Sequence, residues 1–407
     1  MTLGRTFVKV WTASGFANLA DGVFQVALPL LAVGLTRSPL LIAGVALAAR
    51  IPWLFMSLVA GALADRLDRR QTMVRVNLAR TVLLGGLALA VATGVATLPL
   101  VYAVALLLGV AETLFDTSAQ SLLPAVVGRD DLSRANSRLY AVELVANLFV
   151  GPPLGGLLAA IALSLALAVP AAAYLAGAAC LALIAGSFRP VREGPPTRLR
   201  DDIAEGVRFV WRHPVLRPLA IMLGVENMAF TAAHSVFVLF AVAPGPMGLS
   251  EAGFGVLYAS LGVGALLGTW LAVPTERRLG RARTLALSVV LGGASLLVPV
   301  VTTDAVTVGA SLAVSGLQMV LWNVVTVSLR QRITPDHLLG RMNACYRLVG
   351  WGTMPLGALL GGLVAETLGL RVVFAAAAGL VLVMLVGFRF VTEGAVERAE
   401  AAAAPTG

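Results

Sequence analysis

The stretch NLFVGPPLGGLL, Asn147–Leu158, sets two adjacent prolines and three glycines inside an apolar segment. Proline lacks an N–H and clashes with the preceding turn, and glycine loses the most backbone freedom on folding, so in water this run would break a helix. In hydrocarbon nothing else can satisfy the backbone. A helix there persists through Pro and Gly because neighbouring helices cover the opened turn. The composition around the stretch points to that medium. Of 407 residues, 58% are hydrophobic and 13% charged, against roughly 45–50% and 25% in soluble domains, and the mean hydropathy is +0.90.

The apolar residues fall in blocks of about 20, the length that crosses about 30 Å of hydrocarbon. Twelve such spans are expected, near residues 10–34, 39–63, 72–94, 98–121, 136–160, 165–188, 214–242, 250–273, 283–302, 304–327, 342–365 and 371–391. The net charge of +9 does not mark a nucleic-acid binder, because the arginines cluster on alternate connections between spans. By the positive-inside rule the Arg-rich side, with both termini, faces the cytoplasm of a bacterial cell membrane. The first span is too long, and lacks the small-residue cleavage site, for a removed signal peptide. Cys180 and Cys345 have no metal-ligand spacing, and neither have the three scattered histidines, so no metal and no cofactor are expected. Lys9 is the only lysine, which leaves no phosphate-binding P-loop, and GVGALLG is not a dinucleotide fingerprint. Energy would come from a gradient, and the chain is not expected to be an enzyme.

The longest polar break follows the sixth span. Within it, RDDIAEGVRFVWRHP puts Ile203, Val207, Val210 and Trp211 on one helical face, as a helix on the membrane surface would. The expected organisation is a first bundle over 1–190, a linker with an amphipathic helix over 191–213, a second bundle over 214–395 and a disordered tail over 396–407. At an offset of roughly 207 residues Gly109 meets Gly316, Asp116 meets Asn323, and LSRAN meets LGRMN. At slightly larger offsets Asn18 and Gln25 meet Asn227 and His234, and Arg66, Leu67 and Arg69 meet Arg278, Leu279 and Arg281. These matches describe a parallel repeat of six spans. Small residues concentrate in the second, fifth, eighth and eleventh spans, where helices that slide or rock would need close backbone approach.

GALADRLDRR, Gly61–Arg70, resembles the signature between the second and third helices of the major facilitator superfamily, roughly G-x-x-x-D-R-x-G-R-R. Gly61, Asp65, Arg66, Arg69 and Arg70 match, and Asp68 replaces the usual glycine. The resulting DR-x-DR, together with NLADGVFQVALPLL and LSRAN, is similar to the macrolide and siderophore (enterobactin-exporter-like) efflux branch. The resemblance implies an all-α membrane protein of twelve transmembrane helices in two pseudo-symmetric six-helix bundles, working as a monomer among membrane lipids on a small-molecule substrate. A carboxylate at one helix end can face the positive N-terminus of another and latch one conformation, so Asp65 and its arginines are expected to form a gate. GPPLGG resembles the fifth-helix pattern of proton-coupled exporters: Gly151, Pro152, Gly155 and Gly156 match, and Asn147 stands where that pattern begins with glycine.

A charge near mid-bilayer costs at least about 2.5–3.5 kcal/mol, so each needs a partner, a wet cavity or a function. Asp21, Arg50, Glu112, Asp116, Glu143 and Glu226 are such charges. The resemblance places the first and fourth helices on the central cavity, which favours Asp21 and Glu112 as groups that alternate between proton and substrate. The alternative for each is a permanent salt bridge with Arg50. Asp116 is expected to pair with Arg69 or Arg66 in the gate, with Glu143 in the same network. Glu226 would contribute from the other half, and Asn18, Gln25, Asn227, His234 and Asn323 are cavity candidates, with Trp53, Phe24, Phe230, Phe237 and Trp322 as an apolar wall. The expected function is export of an amphiphilic small molecule by proton antiport. The rivals are a uniporter or lipid translocator, and a transport-inactive sensor or assembly factor.

Overall fold

The computed structural model describes residues 4–64, 67–128, 131–186, 188 and 199–403. Asp65 and Arg66 of the expected gate lie outside these residues, as do residues 191–198 of the linker. Among the described residues, twelve stretches are long and apolar enough to cross a membrane. The first four spans are single helices: α1 (Gly4–Leu35), α2 (Pro39–Ala64), α3 (Arg69–Ala92) and α4 (Leu98–Val126). The fifth is compound, with α5 (Leu132–Glu143), a π-helical turn (Leu144–Val150) and α6 (Gly151–Ile161), and α7 (Leu163–Ala182) is the sixth. After α8 (Leu199–Arg212) come α9 (Leu216–Ala241), α10 (Glu251–Leu279), α11 (Arg281–Val301) and α12 (Ala305–Ile333). The eleventh span joins α13 (Asp336–Gly352) to α14 (Met354–Leu368), the twelfth is α15 (Leu370–Val383) with a 3-10 turn (Met384–Arg389), and α16 (Glu393–Ala403) follows. Among the described residues there is no strand beyond one isolated bridge between Val242 and Leu249.

Hydroxyl side chains in these helices bond to their own backbone, as a low-dielectric surrounding favours. Along α4, Thr113, Thr117 and Ser121 each donate to the carbonyl four residues back, at 2.9, 2.8 and 3.0 Å. The stretch that opened the sequence is resolved in the same way. Its π turn ends at Val150, and a new α-helix begins at Gly151 with the prolines in its first turn, where the missing N–H leaves no bond unmade.

The chain divides into two compact units, Met1–Glu193 with Phe237–Gly262, and Gly194–Val236 with Val263–Gly407. In the first, α3 lies along α7, α2 along α4, and α1 against α6 and α7. In the second, α11 lies along α12 and α15, and α8 rests on α13. The expected boundary in the 191–213 connection is therefore crossed by one segment, 237–262. Its reason is a close backbone approach: a Cβ on Gly156 of α6 would stand 2.5 Å from the Glu251 carbonyl oxygen and 2.8 Å from Gly255 Cα of α10.

The repeat has a structural register. In the first unit Gly151 meets Gly22 of α1, and in the second Gly357 meets Met228 of α9, both partners being displaced by the same interval. This sets Gly151 against Gly357, four residues away from the register in which PPLGGLL would lie on MPLGALL.

One expectation is corrected. Residues 396–403 of the tail are helical instead of disordered, as part of α16, because Glu393 and Glu400 are bound by the ends of α11 and α12 and Val396 is 1% exposed. Only residues 404–407 of the tail lie outside the described part. The linker helix α8 docks on protein, with Gly206 against the Arg341 backbone and Glu205 ion-paired to Arg341. Val210 is buried there, but Trp211, expected on the same face, is 49% exposed.

Candidate functional site

Five helices of the first unit bring ionisable side chains together. Asp21 lies midway along α1, next to Gly22, whose lack of a side chain lets the Asn147 carbonyl of the π turn come close. Tyr174 of α7 donates its hydroxyl proton to Asp21 Oδ1, and the same oxygen lies 4.0 Å from Arg80 Nη1 of α3. Arg80 is 1% exposed. Its guanidinium sits over two rings, 5.0 Å from the Tyr174 centroid and 5.2 Å from that of Phe115 on α4. Cation–π contacts of this kind are worth about 2 kcal/mol or more when desolvated, so the rings hold the cation in place.

A second, looser pair lies beside it: Arg50 Nη1 of α2 is 4.0 Å from Glu112 Oε1 of α4, with side chains 45% and 37% exposed. Asp116, one turn along α4, interacts electrostatically with Glu112, Arg80, Asp21 and Glu143, yet makes no ion pair with them. The cluster therefore holds three carboxylates, Asp21, Glu112 and Asp116, against two guanidiniums, Arg50 and Arg80. One carboxylate is in surplus. In a low-dielectric site an unneutralised carboxylate takes up a proton or another cation.

The pairing departs from the expected one at Asp21, which pairs with Arg80 and Tyr174, not Arg50, while Arg50 and Glu112 form the salt bridge given as the alternative role of Glu112. Asp116 forms no ion pair with Arg69, which donates to the Ser121 carbonyl at 2.8 Å, and lies in the cluster; its other expected partner, Arg66, is outside the described residues. Glu143 ends α5 exposed, within electrostatic reach of Asp21 and Asp116. Of the other gate residues, Arg70 donates to the Ile184 carbonyl, and Gly61 lies within α2.

Arg80 and Tyr174 were absent from the sequence candidates. The signal for Arg80 was present: it stands near the middle of α3, where the rule that marks Arg50 applies equally. Tyr174 carried none.

In the second unit Glu226 of α9 is 7% exposed and receives a side-chain hydrogen bond from Gln318 of α12. Its Oε2 has no hydrogen-bond partner among the described residues. Asn227 donates to the Gly350 carbonyl at 2.9 Å, and His234 Nδ1 lies 2.8 Å from the Phe230 carbonyl of its own helix. Asn18 bonds within α1, to the Ser14 carbonyl at 2.9 Å, and Gln25 shares a hydrogen bond with Tyr258. Asn323 is exposed on α12. Trp53, Trp322 and Phe237 are buried at 8%, 3% and 3% and do not form an open wall; Phe237 belongs to a ring cluster with Phe240, Phe254 and Tyr258. Phe24 and Phe230 are partly exposed.

Comparison with known proteins agrees with this architecture. The profile of a family described as transmembrane secretion effector matches residues 3–405. The multidrug efflux pump Tap of Mycolicibacterium fortuitum is 30% identical over 383 residues, covering 88% of this chain and 89% of that protein. The enterobactin exporter EntS of Salmonella choleraesuis is 27% identical, covering 88% and 85%. Among solved structures, a point mutant of the nucleoside transporter NupG superposes with a TM-score of 0.78 at 12% identity, covering 95% of this chain and 99% of that one. At that identity the likeness speaks for the fold alone.

Proposed function

Because this chain belongs to the transmembrane secretion effector family of major facilitator transporters, we propose that it exports an amphiphilic small molecule across the cytoplasmic membrane in exchange for protons. The observation that carries the reading is the surplus carboxylate in the cluster of Asp21, Glu112 and Asp116 with Arg50 and Arg80. The three acids share one proton, which belongs to the cluster and not to a single residue. Arrival of a substrate bearing positive charge displaces that proton; protonation from the other side of the membrane expels the substrate. The Arg50–Glu112 pair, loose and partly exposed, is where a substrate's polar groups would compete. Asp21, clamped by Arg80 and Tyr174, sets the field in which they do so. Glu226 is a second candidate proton site, in the other unit: its carboxyl is buried and Gln318 is its hydrogen-bond partner.

The names of two relatives, a multidrug efflux pump and an enterobactin exporter, support the outward direction proposed here. The test is transport in proteoliposomes with an imposed pH gradient and a panel of dyes, macrolides and siderophores. Gradient-driven flux of at least one compound is expected. Glu112→Gln and Asp116→Asn are expected to lower the gradient-driven rate by at least about tenfold, equivalent to about 1.4 kcal/mol in the transition state. Equal flux with and without the gradient would indicate a uniporter or lipid translocator.

A further inference from the structure

A groove on the first unit takes no part in the carboxylate cluster. Its volume is about 640 Å³, and it runs between Phe7, Val8 and Trp11 of α1 and the stretch from Arg138 to Val145 of α5. That volume lies in the range of about 300–1,000 Å³ that holds a small organic ligand. The floor is preformed. Phe7 is 2% exposed and packs in a buried cluster with Leu123, Val127 and Ala135. Trp11 Nε1 donates to the Arg138 carbonyl at 3.2 Å, which ties the two walls together. The walls themselves stay open, with Val8 and Val145 55% and 41% exposed.

Charge is confined to one end of the groove. Every lining residue is apolar except Arg138, which stands in the second turn of α5, and no acid is among them. Arg138 is exposed and forms no ion pair with a described residue. Arg134 precedes it by one turn, and on α1 Arg5 precedes Val8 by about one turn. From Arg138 to Val145 the helix rises about 10 Å, roughly two-thirds of the hydrocarbon depth of one leaflet. Both spans begin at Arg-rich connections, which the positive-inside rule assigns to the cytoplasmic interface, and tryptophan is favoured at that level.

We propose that this groove binds an anionic phospholipid of the cytoplasmic leaflet, with one acyl chain between α1 and α5 and the phosphate on Arg138. The planar guanidinium fork matches a phosphate, and basic pockets between membrane helices on this side hold anionic headgroups. A zwitterionic lipid offers the same chain and phosphate, but its ammonium is repelled by the neighbouring arginines, so the site selects by net charge. The bound lipid joins the helix that bears Asp21 to the span that bears GPPLGG.

The test uses full-length protein in phosphatidylcholine vesicles that contain, at equal mole fraction, either phosphatidylglycerol or phosphatidylcholine brominated on its acyl chains. Bromine quenches a tryptophan that it touches, and the difference between wild-type protein and Trp11→Phe isolates the Trp11 signal. Brominated phosphatidylglycerol is expected to quench Trp11 about fivefold more effectively, the worth of one arginine beside an anionic headgroup. Arg138→Gln is expected to remove that preference. Ala141→Phe, which fills the groove from α5, is expected to lower quenching by both lipids. Equal quenching by the two lipids in the wild-type protein, a preference that survives Arg138→Gln, or quenching unchanged by Ala141→Phe would each overturn the proposal. So would the absence of quenching by either lipid, which would mean that protein covers the groove. No transport is measured, so failure here is distinct from failure of the export reading.

Discussion

Asp21→Asn is expected to destabilise the protein by about 3–5 kcal/mol, the cost of leaving a buried charge without its partner, and to abolish transport. The charge left behind is the Arg80 guanidinium, 1% exposed and held between two aromatic rings. Arg80→Gln should cost less, roughly half as much, because Asp21 is 31% exposed at its side chain and can take up water or a proton. The double variant Asp21→Asn with Arg80→Gln removes both charges and should recover most of the stability while transport stays lost. Thermal unfolding of detergent-solubilised protein, set beside proteoliposome flux, separates the two effects. If Asp21→Asn is as stable as wild type, Arg80 is not depending on that carboxylate, and the cluster described here is wrong in its main contact.

The second large effect concerns the close approach of α6 and α10. Gly156→Leu is expected to cost about 1–3 kcal/mol through overpacking and to stop turnover, since the added Cβ alone would meet the backbone of Glu251 and Gly255 at 2.5–2.8 Å. Backbone cannot swing aside as a side chain can, so the helices must part. Gly86→Ala on α3 is the matched control: nothing stands within 4 Å of its Cβ position, and the substitution should be neutral or stabilise by about 0.5–1 kcal/mol. Equal behaviour of the two variants would mean that the glycines of the fifth span are not there for contact.

The architecture was readable because hydrocarbon thickness sets span length and arginines mark alternate connections; neither depends on how a helix is rotated. Rotation is what the cluster needed. Spans that are apolar all round give no preferred face, so Arg50 was offered as a partner to both Asp21 and Glu112, and only the second pair forms. Arg80 was missed although it lies as deep in α3 as Arg50 does in α2, while Tyr174 reads like any tyrosine of a membrane helix. The tail was misread on composition. EGAVERAE looks like a low-complexity end, yet Glu393, Val396 and Glu400 recur at helical spacing along one face. Asp68 reads from sequence only as a departure from a pattern; in the structure it accepts from Gln71 N at 3.0 Å, capping α3, and from Phe188 N at 2.8 Å.

The central claim is that three carboxylates facing two guanidiniums carry one exchangeable proton that substrate displaces. The most direct measurement is proton release on substrate binding, followed with a pH indicator in weakly buffered detergent solution, using a compound from the flux panel that the protein transports. Linkage predicts release of about one proton per molecule bound near neutral pH, and no release in the Asp116→Asn variant. Binding by the wild-type protein with no proton released would contradict the claim.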